Sequence, residues 1–366
     1  SQKPILRISL ATLAATFGSA ARGVNFDATV AGLLNLVAAG TDTNVDIKLT
    51  GKGNGGAILD LAQPLNYGRV YHPLLMAQGW VGKIKDITVS NNELVNLPSG
   101  LFYSLAGGSS LQLVNPIKGT VLGTVTVGSG AAGGCYVPTV DRVYATCGTS
   151  GTVEVVNPNT NTHTGSTIAL AAGISKAIWC PSVNRVYVTN VSSGDVKVIN
   201  PATNTVTATI SGLASPQKLC YCPSNDRIYV STTAGLAVIN PQTNTLVTTI
   251  ATPTAAGGVA YCPRNDRIYV ANTGSANVSA IDPATNTIVA TITVGTNPNP
   301  VCYSPAHGYL YVGNFGAGTV SIISPSSNTV LQTVTVNTNP LGMFYHAQDG
   351  LVYVGNNGSG NVSVLG

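Results

Sequence analysis

Residues 258–292 read GVAYCPRNDRIYVANTGSANVSAIDPATNTIVATI, and the fold follows from this stretch. Turns rich in Pro, Gly, Ser and Asn divide it into four short segments, which are rich in β-branched residues and alternate between apolar and polar side chains. This pattern predicts four β-strands. The turn at Asp282-Pro283 has a local cause, because Pro presets φ and the Asp side chain accepts a backbone N–H two residues further on. Asn286 ends the turn and tolerates left-handed backbone geometry.

The same unit occurs seven times along the chain, at intervals of 40 to 43 residues. A four-stranded unit of this size cannot bury two apolar faces alone, so such units must stack on one another. A period of about 40–45 residues with four strands per unit is typical of a β-propeller. The sequence therefore predicts an all-β fold, a seven-bladed β-propeller. One tyrosine marks each copy of the unit: Tyr103, Tyr144, Tyr187, Tyr229, Tyr269, Tyr311 and Tyr353.

The two ends of the repeat region predict how the ring closes. The last copy stops after its third strand, at residues 361–366, and lacks a fourth. An unpaired apolar strand at residues 83–89 precedes the first copy and matches the missing segment. We predict that residues 83–89 supply the outer strand of the last blade. Residues 82–366 then form the propeller, and residues 1–81 form a separate N-terminal anchoring and assembly segment.

The N-terminal segment is predicted to be a small α+β or extended unit. Asp27 is placed to cap a helix over residues 28–39, whose apolar residues have helical spacing and which Gly40 ends. Val45, Ile47 and Leu49 alternate as a strand, and residues 57–62 and 69–77 suggest further apolar strands or arms. So short a segment cannot easily bury this apolar content alone. We expect it to pack on a protein partner, on another copy or on the propeller flank.

Residues 187–190 read YVTN, and the sequence here resembles the YVTN-repeat β-propeller family of archaeal and bacterial surface-layer and extracellular proteins. Residues 269–272, 311–314 and 353–356 are near matches to the same motif. The resemblance covers about residues 82–366. It implies the propeller fold and a cell-surface setting, but that family is defined by its scaffold and implies no particular activity.

The cysteines recur on the first strand of several copies. Their positions permit two interpretations, a ring of thiols for a soft metal or small buried side chains between blades, and the second is favoured because no C-x-x-C pair or His lies nearby. Seven Cys leave at least one unpaired, and free thiols suggest assembly in a reducing compartment. The residues concerned are Cys180, Cys222 and Cys262 before a Pro, and Cys135, Cys220 and Cys302 two positions earlier.

A second recurring set consists of arginines that follow an Asp or Asn. A ring of arginines could hold an anionic ligand, whereas the structural interpretation is a turn whose Arg stem covers apolar surface. The last two copies replace the pair with Gly308-Tyr309 and Gly350-Leu351, which favours the structural interpretation. The arginines are Arg142, Arg185, Arg227 and Arg267.

The remaining composition excludes several classes of function. The net charge is only +4 and the 17 Lys and Arg are scattered, so no nucleic-acid surface is predicted. No apolar run reaches the 18 or so residues of a membrane span. Glu93 and Glu154 are the only glutamates, and the histidines occupy unrelated repeat positions, so we predict no catalytic, cofactor-binding or metal-binding residue and no cofactor. Polar blade loops suit weak contacts with glycans. The histidines are His72, His163, His307 and His346.

These observations favour a non-catalytic structural or adhesive protein that displays a propeller on a larger assembly. Residues 5–21 superficially resemble a secretion signal but are interrupted by polar residues, and Ser1 is what removal of an initiator Met leaves, so we expect this stretch to be retained. Cytosolic synthesis favours a virion component of a prokaryotic virus, such as a capsid decoration or tail-fibre protein. The alternatives are a surface-layer or extracellular filament subunit or adhesin, and a propeller enzyme or small-ligand binder of the lactonase or lyase type.

Overall fold

The computed structural model of the chain describes residues 24–27, 35–38, 83–89, 93–105 and 107–366, with side chains from residue 83 onward. The chain divides into two compact units, Ser1–Trp80 and Val81–Gly366. The second unit consists of seven four-stranded antiparallel sheets, which are numbered here as blades 1 to 7 in chain order. The predicted all-β, seven-bladed propeller is confirmed. The only helical element in the described part of the second unit is a 3-10 turn at Thr273–Ser275.

Each blade is an antiparallel meander whose first strand lies innermost and whose fourth lies at the rim. The first strands contact one another from blade to blade all the way round, and blade 7 contacts blade 1.

Blade 1 comprises β4 (Glu93–Asn96), β5 (Phe102–Leu105), β6 (Ser110–Asn115) and β7 (Thr120–Thr126). Blade 2 comprises β8 (Ala131–Val137), β9 (Arg142–Cys147), β10 (Thr152–Asn157) and β11 (Thr162–Ala169). Blade 3 comprises β12 (Ile174–Cys180), β13 (Arg185–Asn190), β14 (Asp195–Asn200) and β15 (Thr205–Ser211). Blade 4 comprises β16 (Leu219–Cys222), β17 (Arg227–Thr232), β18 (Gly235–Asn240) and β19 (Thr245–Ile250).

Blade 5 comprises β20 (Ala256–Cys262), β21 (Arg267–Asn272), β22 (Asn277–Asp282) and β23 (Thr287–Thr293). Blade 6 comprises β24 (Pro298–Ser304), β25 (Tyr309–Asn314), β26 (Thr319–Ser324) and β27 (Thr329–Thr335). Blade 7 comprises β28 (Pro340–His346), β29 (Leu351–Asn356), β30 (Asn361–Leu365) and, as its outermost strand, β3 (Lys83–Thr88).

The ring closes through β3, as predicted from the two chain ends. β3 pairs antiparallel with β30, and the register places Asp86 opposite Ser363 and Ile87 opposite Val362. The Asp86 side chain also accepts a 2.7 Å hydrogen bond from the Ser363 hydroxyl. The last blade is therefore completed by a strand that lies 277 residues away in the chain.

The core of the propeller lies between the blades. The buried apolar side chains form seven clusters, and each cluster is shared by two neighbouring blades. Blades 7 and 1, for example, share Ile87, Phe102 and Val362. Full burial of an aliphatic side chain contributes about 1.5–3 kcal/mol, so the clusters hold the ring together.

The repeat tyrosines connect consecutive blades. Each is buried, and in blades 1 to 5 its hydroxyl reaches an Asn in the outer turn of the next blade, as Tyr144 does to Asn204 Oδ1 at 2.6 Å. Tyr103, Tyr187, Tyr229 and Tyr269 contact Asn161, Asn244, Asn286 and Asn328 in the same way. All five asparagines have φ between 53° and 56°, which confirms the left-handed geometry predicted for them.

In blades 6 and 7 the hydroxyl of the repeat tyrosine bonds a residue of its own blade. The outer turn of blade 7 does not exist because its strands come from opposite ends of the repeat region, and Tyr311 of blade 6 bonds His307 Nδ1 at 2.6 Å instead. The corresponding turn of blade 1 ends in Gly119, at φ 66°, which has no side chain. Tyr353 of blade 7 therefore donates to Asp349 Oδ2 at 2.6 Å.

The predicted helix over residues 28–39 is wrong at its C-terminal end, and Asp27, its predicted cap, lies in a strand. β1 (Val24–Asp27) pairs antiparallel with β2 (Asn35–Ala38), with Asp27 opposite Asn35. Short apolar stretches fit a helix and a strand equally well by periodicity, and a neighbouring strand that supplies hydrogen bonds decides between them. Residues 28–34 and the strands predicted at 45–49, 57–62 and 69–77 lie outside the described residues.

Candidate functional site

The innermost strands place equivalent repeat positions around one axis. On each of them one residue pairs with the repeat tyrosine, such as Ile178 with Tyr187 and Cys220 with Tyr229. Counting from this residue identifies the same level of the channel wall in every blade. Two levels have distinctive side chains. Charged residues lie near the start of the innermost strands, and aromatic residues lie near their end.

At the first level, two residues before the tyrosine partner, lie the charged residues Glu93 of blade 1, Lys176 of blade 3 and Lys218 of blade 4. The other blades have residues with little or no side chain at this position, which leaves room for the lysines to extend. Lys176, for instance, lies against Gly133, where an added Cβ would come within 2.8 Å of the lysine Cδ. The small residues are Gly133, Gly258, Pro300 and Gly342.

These three side chains meet across the channel. Glu93 Oε2 lies 2.6 Å from Lys176 Nζ and 2.9 Å from Lys218 Nζ. Lys176 also donates to the carbonyl of Ala132 in blade 2, and Lys218 lies 3.4 Å from the carbonyl of Leu341 in blade 7. The central charge cluster, as we call Glu93, Lys176 and Lys218, thus links five blades.

The central charge cluster is only 15–16% exposed, so its electrostatics are strong. Burial alone would raise the pKa of Glu93, but the charges and hydrogen bonds of Lys176 and Lys218 outweigh it and lower that pKa. Burial lowers the pKa of Lys176 to about 8, against the opposing effect of Glu93. Two ammonium groups and one carboxylate give a net charge of about +1. The arrangement braces the ring and could also receive a small anion.

At the second level an aromatic residue occupies six of the seven blades, eight positions before the repeat tyrosine. These aromatic side chains are half-buried and pack against the clusters between blades. Blade 1 is the exception. Its residue at this level is Asn96, which directly follows the tyrosine partner Val95 and lies seven positions before Tyr103. The constant offset of eight residues is visible in the sequence, but these residues were not predicted to form a set. This aromatic ring consists of Tyr136, Trp179, Tyr221, Tyr261, Tyr303 and Tyr345.

Turn residues hold four members of the aromatic ring in place. Tyr136 donates to Asp141 at 2.8 Å, and Tyr221 and Tyr261 make equivalent bonds of 3.0 Å to Asp226 and Asp266. The Trp179 indole N–H donates to Asn184 at 3.0 Å. Hydrogen bonds lower the pKa values of Asp141 and Asp226.

The four recurring arginines each donate to the backbone carbonyl of the residue just before them, at 2.7–2.9 Å. Arg267 also lies 3.4 Å from Asp282. These contacts fit the predicted structural interpretation, in which Arg and Asp or Asn shape one turn. Each of the four arginines bonds within its own blade.

An open cavity of about 250 Å³ lies where the aromatic ring is interrupted, between blades 7, 1 and 2. His346 is 1% exposed, and neither its Nε2 nor the Oδ1 of Asn96 has a hydrogen-bond partner. The cavity is lined by Asn96, Leu97, Pro98, Tyr136, His346, Ala347 and Gln348.

The cysteines lie between blades, as the structural interpretation predicted. Cys180, Cys222 and Cys262 have no exposed surface, and all seven thiols are free. Burial raises the pKa values of Cys135, Cys220 and Cys302. The described residues contain no group of three or more His, Cys, Asp or Glu that could hold a metal ion.

The other polar residues singled out in the sequence lie apart from the channel. Glu154 and His163 form a 2.8 Å pair on the outer strands of blade 2, and His307 bonds Tyr311. His72 lies outside the described residues. None of the helices in the described part of the chain has the length and hydropathy of a membrane span.

Comparison with known proteins agrees on the class of fold, a β-propeller. Residues 123–264 match a family model described as a domain of unknown function, DUF5074. No curated protein matches the chain. Among solved structures, hydrazine synthase of Kuenenia stuttgartiensis is similar with 17% identity and a TM-score of 0.67, over 82% of this chain and 98% of that one. Identity this low establishes the fold alone, and the YVTN-repeat resemblance stays a prediction.

Proposed function

We propose that this protein is a non-catalytic structural protein that displays its propeller on a larger assembly, as a virion component of a prokaryotic virus. The observation that supports this proposal most directly is the composition of the propeller rim. Six of the seven outermost strands, all except β3, contain no Asp, Glu, Lys or Arg. Exposed edge strands usually carry charge because charge prevents unwanted pairing.

On the outermost strands a β-bulge, rather than charge, interferes with unwanted strand pairing. In blade 5, Ala280 pairs with Ala290 and Ile281 with Ile288, so Val289 is left over as an extra residue. Bulges bend an edge strand and interrupt pairing. Blades 1, 4, 6 and 7 have the same bulge with an extra Leu122, Val247, Leu331 and Ile84.

The five extra residues form an aliphatic belt around the rim. They are 48–54% exposed and belong to five consecutive blades, from blade 4 through blade 7 to blade 1. The bulged segments of blades 2 and 3 are polar, with Thr164 and Thr207 at the equivalent places. An uncharged surface with repeated aliphatic side chains favours contact with protein neighbours. The described propeller begins in the chain at β3, which is the outermost strand of blade 7.

The test is incorporation of a truncated protein. The full chain and residues 82–366, each with the same tag, are expressed in the source host, and particles are separated on a density gradient. We expect the full chain in the particle fraction and the truncated propeller in the soluble fraction, with an unchanged β-sheet spectrum. Incorporation of the truncated protein at the same stoichiometry would overturn the role of residues 1–81. Recovery with cell envelopes would favour the surface-layer alternative.

One observation favours a second candidate, a small-ligand binder or enzyme that uses the channel. Lys176 and Lys218 lie together with one counter-charge, and a lowered Lys pKa is a common property of reactive amines. A screen of lactones, sugars and anions against the full chain tests this candidate. Turnover or binding that Lys176→Met abolishes would support it, and no response across the screen would contradict it.

A further inference from the structure

The cavity at the interruption of the aromatic ring is built differently from the equivalent place in other blades. Blade 1 has Asn96 where the others have Tyr or Trp, and blade 7 has His346 where blades 3, 4 and 5 have Cys180, Cys222 and Cys262. At this one interface, Asn stands in place of a Tyr or Trp side chain, and His stands in place of a Cys thiol. Tyr136 of blade 2 forms a third wall and presents an aromatic surface.

Two polar side chains of the cavity, Asn96 and His346, have atoms without hydrogen-bond partners. His346 Nε2 and Asn96 Oδ1 are both buried and make no hydrogen bond. His346 Nδ1 lies 2.9 Å from Asp349 Oδ1, although not in good hydrogen-bond geometry, and this contact favours the tautomer with its proton on Nδ1. Nε2 is then an acceptor, as Asn96 Oδ1 is. Buried acceptors without donors are destabilising, so a ligand that supplies hydroxyl donors is favoured.

The walls are held rigidly. The His346 ring packs edge-on against Phe344 and Tyr353, with centroids 6.3 and 5.6 Å apart, and those two rings are stacked on each other. Gln348 donates to the Pro98 carbonyl at 2.9 Å, which connects blade 7 to blade 1 across the cavity. A site that is ordered before binding loses less entropy when the ligand arrives.

We propose that the cavity between blades 7, 1 and 2 binds one neutral pyranose ring of a glycan. Its volume of about 250 Å³ is below the 300–1,000 Å³ or so of pockets for drug-sized ligands, so a single ring is the appropriate size. A sugar has hydroxyl donors for Asn96 and His346 and an apolar C–H face for Tyr136. No Lys or Arg lines the cavity, and Asp349 and Asp141 lie just behind it, so an acidic sugar is disfavoured.

The inference rests on the proposed display function, because a displayed propeller needs a target, but its test does not depend on assembly. The full chain is titrated with the methyl glycosides of glucose, galactose, mannose and N-acetylglucosamine, and binding is followed by saturation-transfer NMR. We expect at least one of them to bind. Asn96→Ala and His346→Ala should each weaken binding at least tenfold.

The matched control is Tyr261→Leu, compared with Tyr136→Leu. Both tyrosines occupy the same level of the aromatic ring and donate to a turn Asp, but only Tyr136 lines the cavity. Tyr136→Leu should abolish binding and Tyr261→Leu should leave it unchanged, with melting curves verifying that each variant is folded. His346 is a core residue, so His346→Ala could fail to fold. In that case the binding of Asn96→Ala is the deciding measurement. No binding by any glycoside, or equal loss in both tyrosine variants, would overturn the proposal, whatever the incorporation test shows.

Discussion

At the scale of single residues, the ring combines positions that recur from copy to copy with positions that occur once. The turn asparagines and the cysteines of the innermost strands follow from local chemistry that repeats in blades 2 to 6. Glu93, Lys176 and Lys218 each occur once, and they meet only because the ring brings together residues up to 125 positions apart. Aligning the copies places all three at one level, but only the closed ring shows that their side chains converge.

Glu93→Gln should destabilise the protein by about 2 kcal/mol. The change leaves two ammonium groups close together without a counter-charge, which costs about 3–5 kcal/mol for a fully buried pair and less for one that is partly exposed. Chemical denaturation of the full chain measures the difference. The control Lys83→Gln breaks the more exposed pair with Asp86 and should cost under about 1 kcal/mol. Equal effects would show that the central charge cluster contributes nothing special.

Stability should fall as the pH rises from 10 towards 12. Burial raises the pKa values of Tyr103, Tyr144 and Tyr229 to about 12, whereas tyrosines in the unfolded chain ionise near 10. Between these values the unfolded chain loses its protons first, so unfolding becomes more favourable, by roughly 2 kcal/mol per tyrosine. Melting temperatures from pH 8 to 12 measure the loss.

The control for this pH dependence is the variant Tyr144→Phe. It should cost about 1 kcal/mol at pH 8, because its bond to Asn204 is lost, and should reduce the alkaline loss of stability. A profile that is flat to pH 12 would contradict the assignment.

At the scale of strands, the closing strand was predicted correctly from the sequence. The helix predicted over residues 28–39 was wrong at its C-terminal end. The strand at residues 83–89 was recognisable because it completes a pattern that six other copies establish. Residues 28–39 have no such copies for comparison, and their apolar spacing alone suggested a helix where β2 pairs with β1. The bulges of the outermost strands were also missed, since a single extra residue only becomes visible once the strands are paired.

Ile87→Ala in the closing strand should lower the free energy of unfolding by about 3 kcal/mol. Ile87 is 1% exposed and packs between blades 7 and 1, so its truncation leaves a cavity. Ile84→Ala is the matched control on the same strand. Ile84 is the bulged residue and 54% exposed, so its loss should change stability by less than about 0.5 kcal/mol. Similar values for the two variants in urea denaturation would contradict closure through β3.

At the scale of the whole molecule, the ring uses its recurring polar residues for its own structure and leaves the rim free for neighbours. Tyrosines connect blades, arginines shape turns, and hydrophobic clusters fill every interface. The number of blades and the closing strand were therefore predictable from the repeat. Function was not, because the distinctive features are departures from the repeat: the central charge cluster, the cavity beside blade 1 and the aliphatic belt.

Replacing three members of the aliphatic belt by serine should reduce incorporation into particles severalfold without unfolding the protein. Val247, Val289 and Leu331 are about half exposed, so their loss should cost little stability. Incorporation is read from the particle fraction of a density gradient. The control replaces Thr245, Thr287 and Thr329, the first residues of the same strands, by serine and should incorporate normally. Unchanged incorporation of the belt variant would show that the aliphatic belt does not contact neighbouring proteins in the particle.

The central claim is that this propeller is displayed on a virus particle, and the most direct measurement is the location of the native protein. Antibodies against residues 82–366 are applied to gradient fractions of the source culture, and the labelled fractions are imaged by immunogold electron microscopy. The account predicts that label decorates particles that contain nucleic acid and capsid protein. Label confined to cell envelopes, or to the soluble fraction, would contradict it.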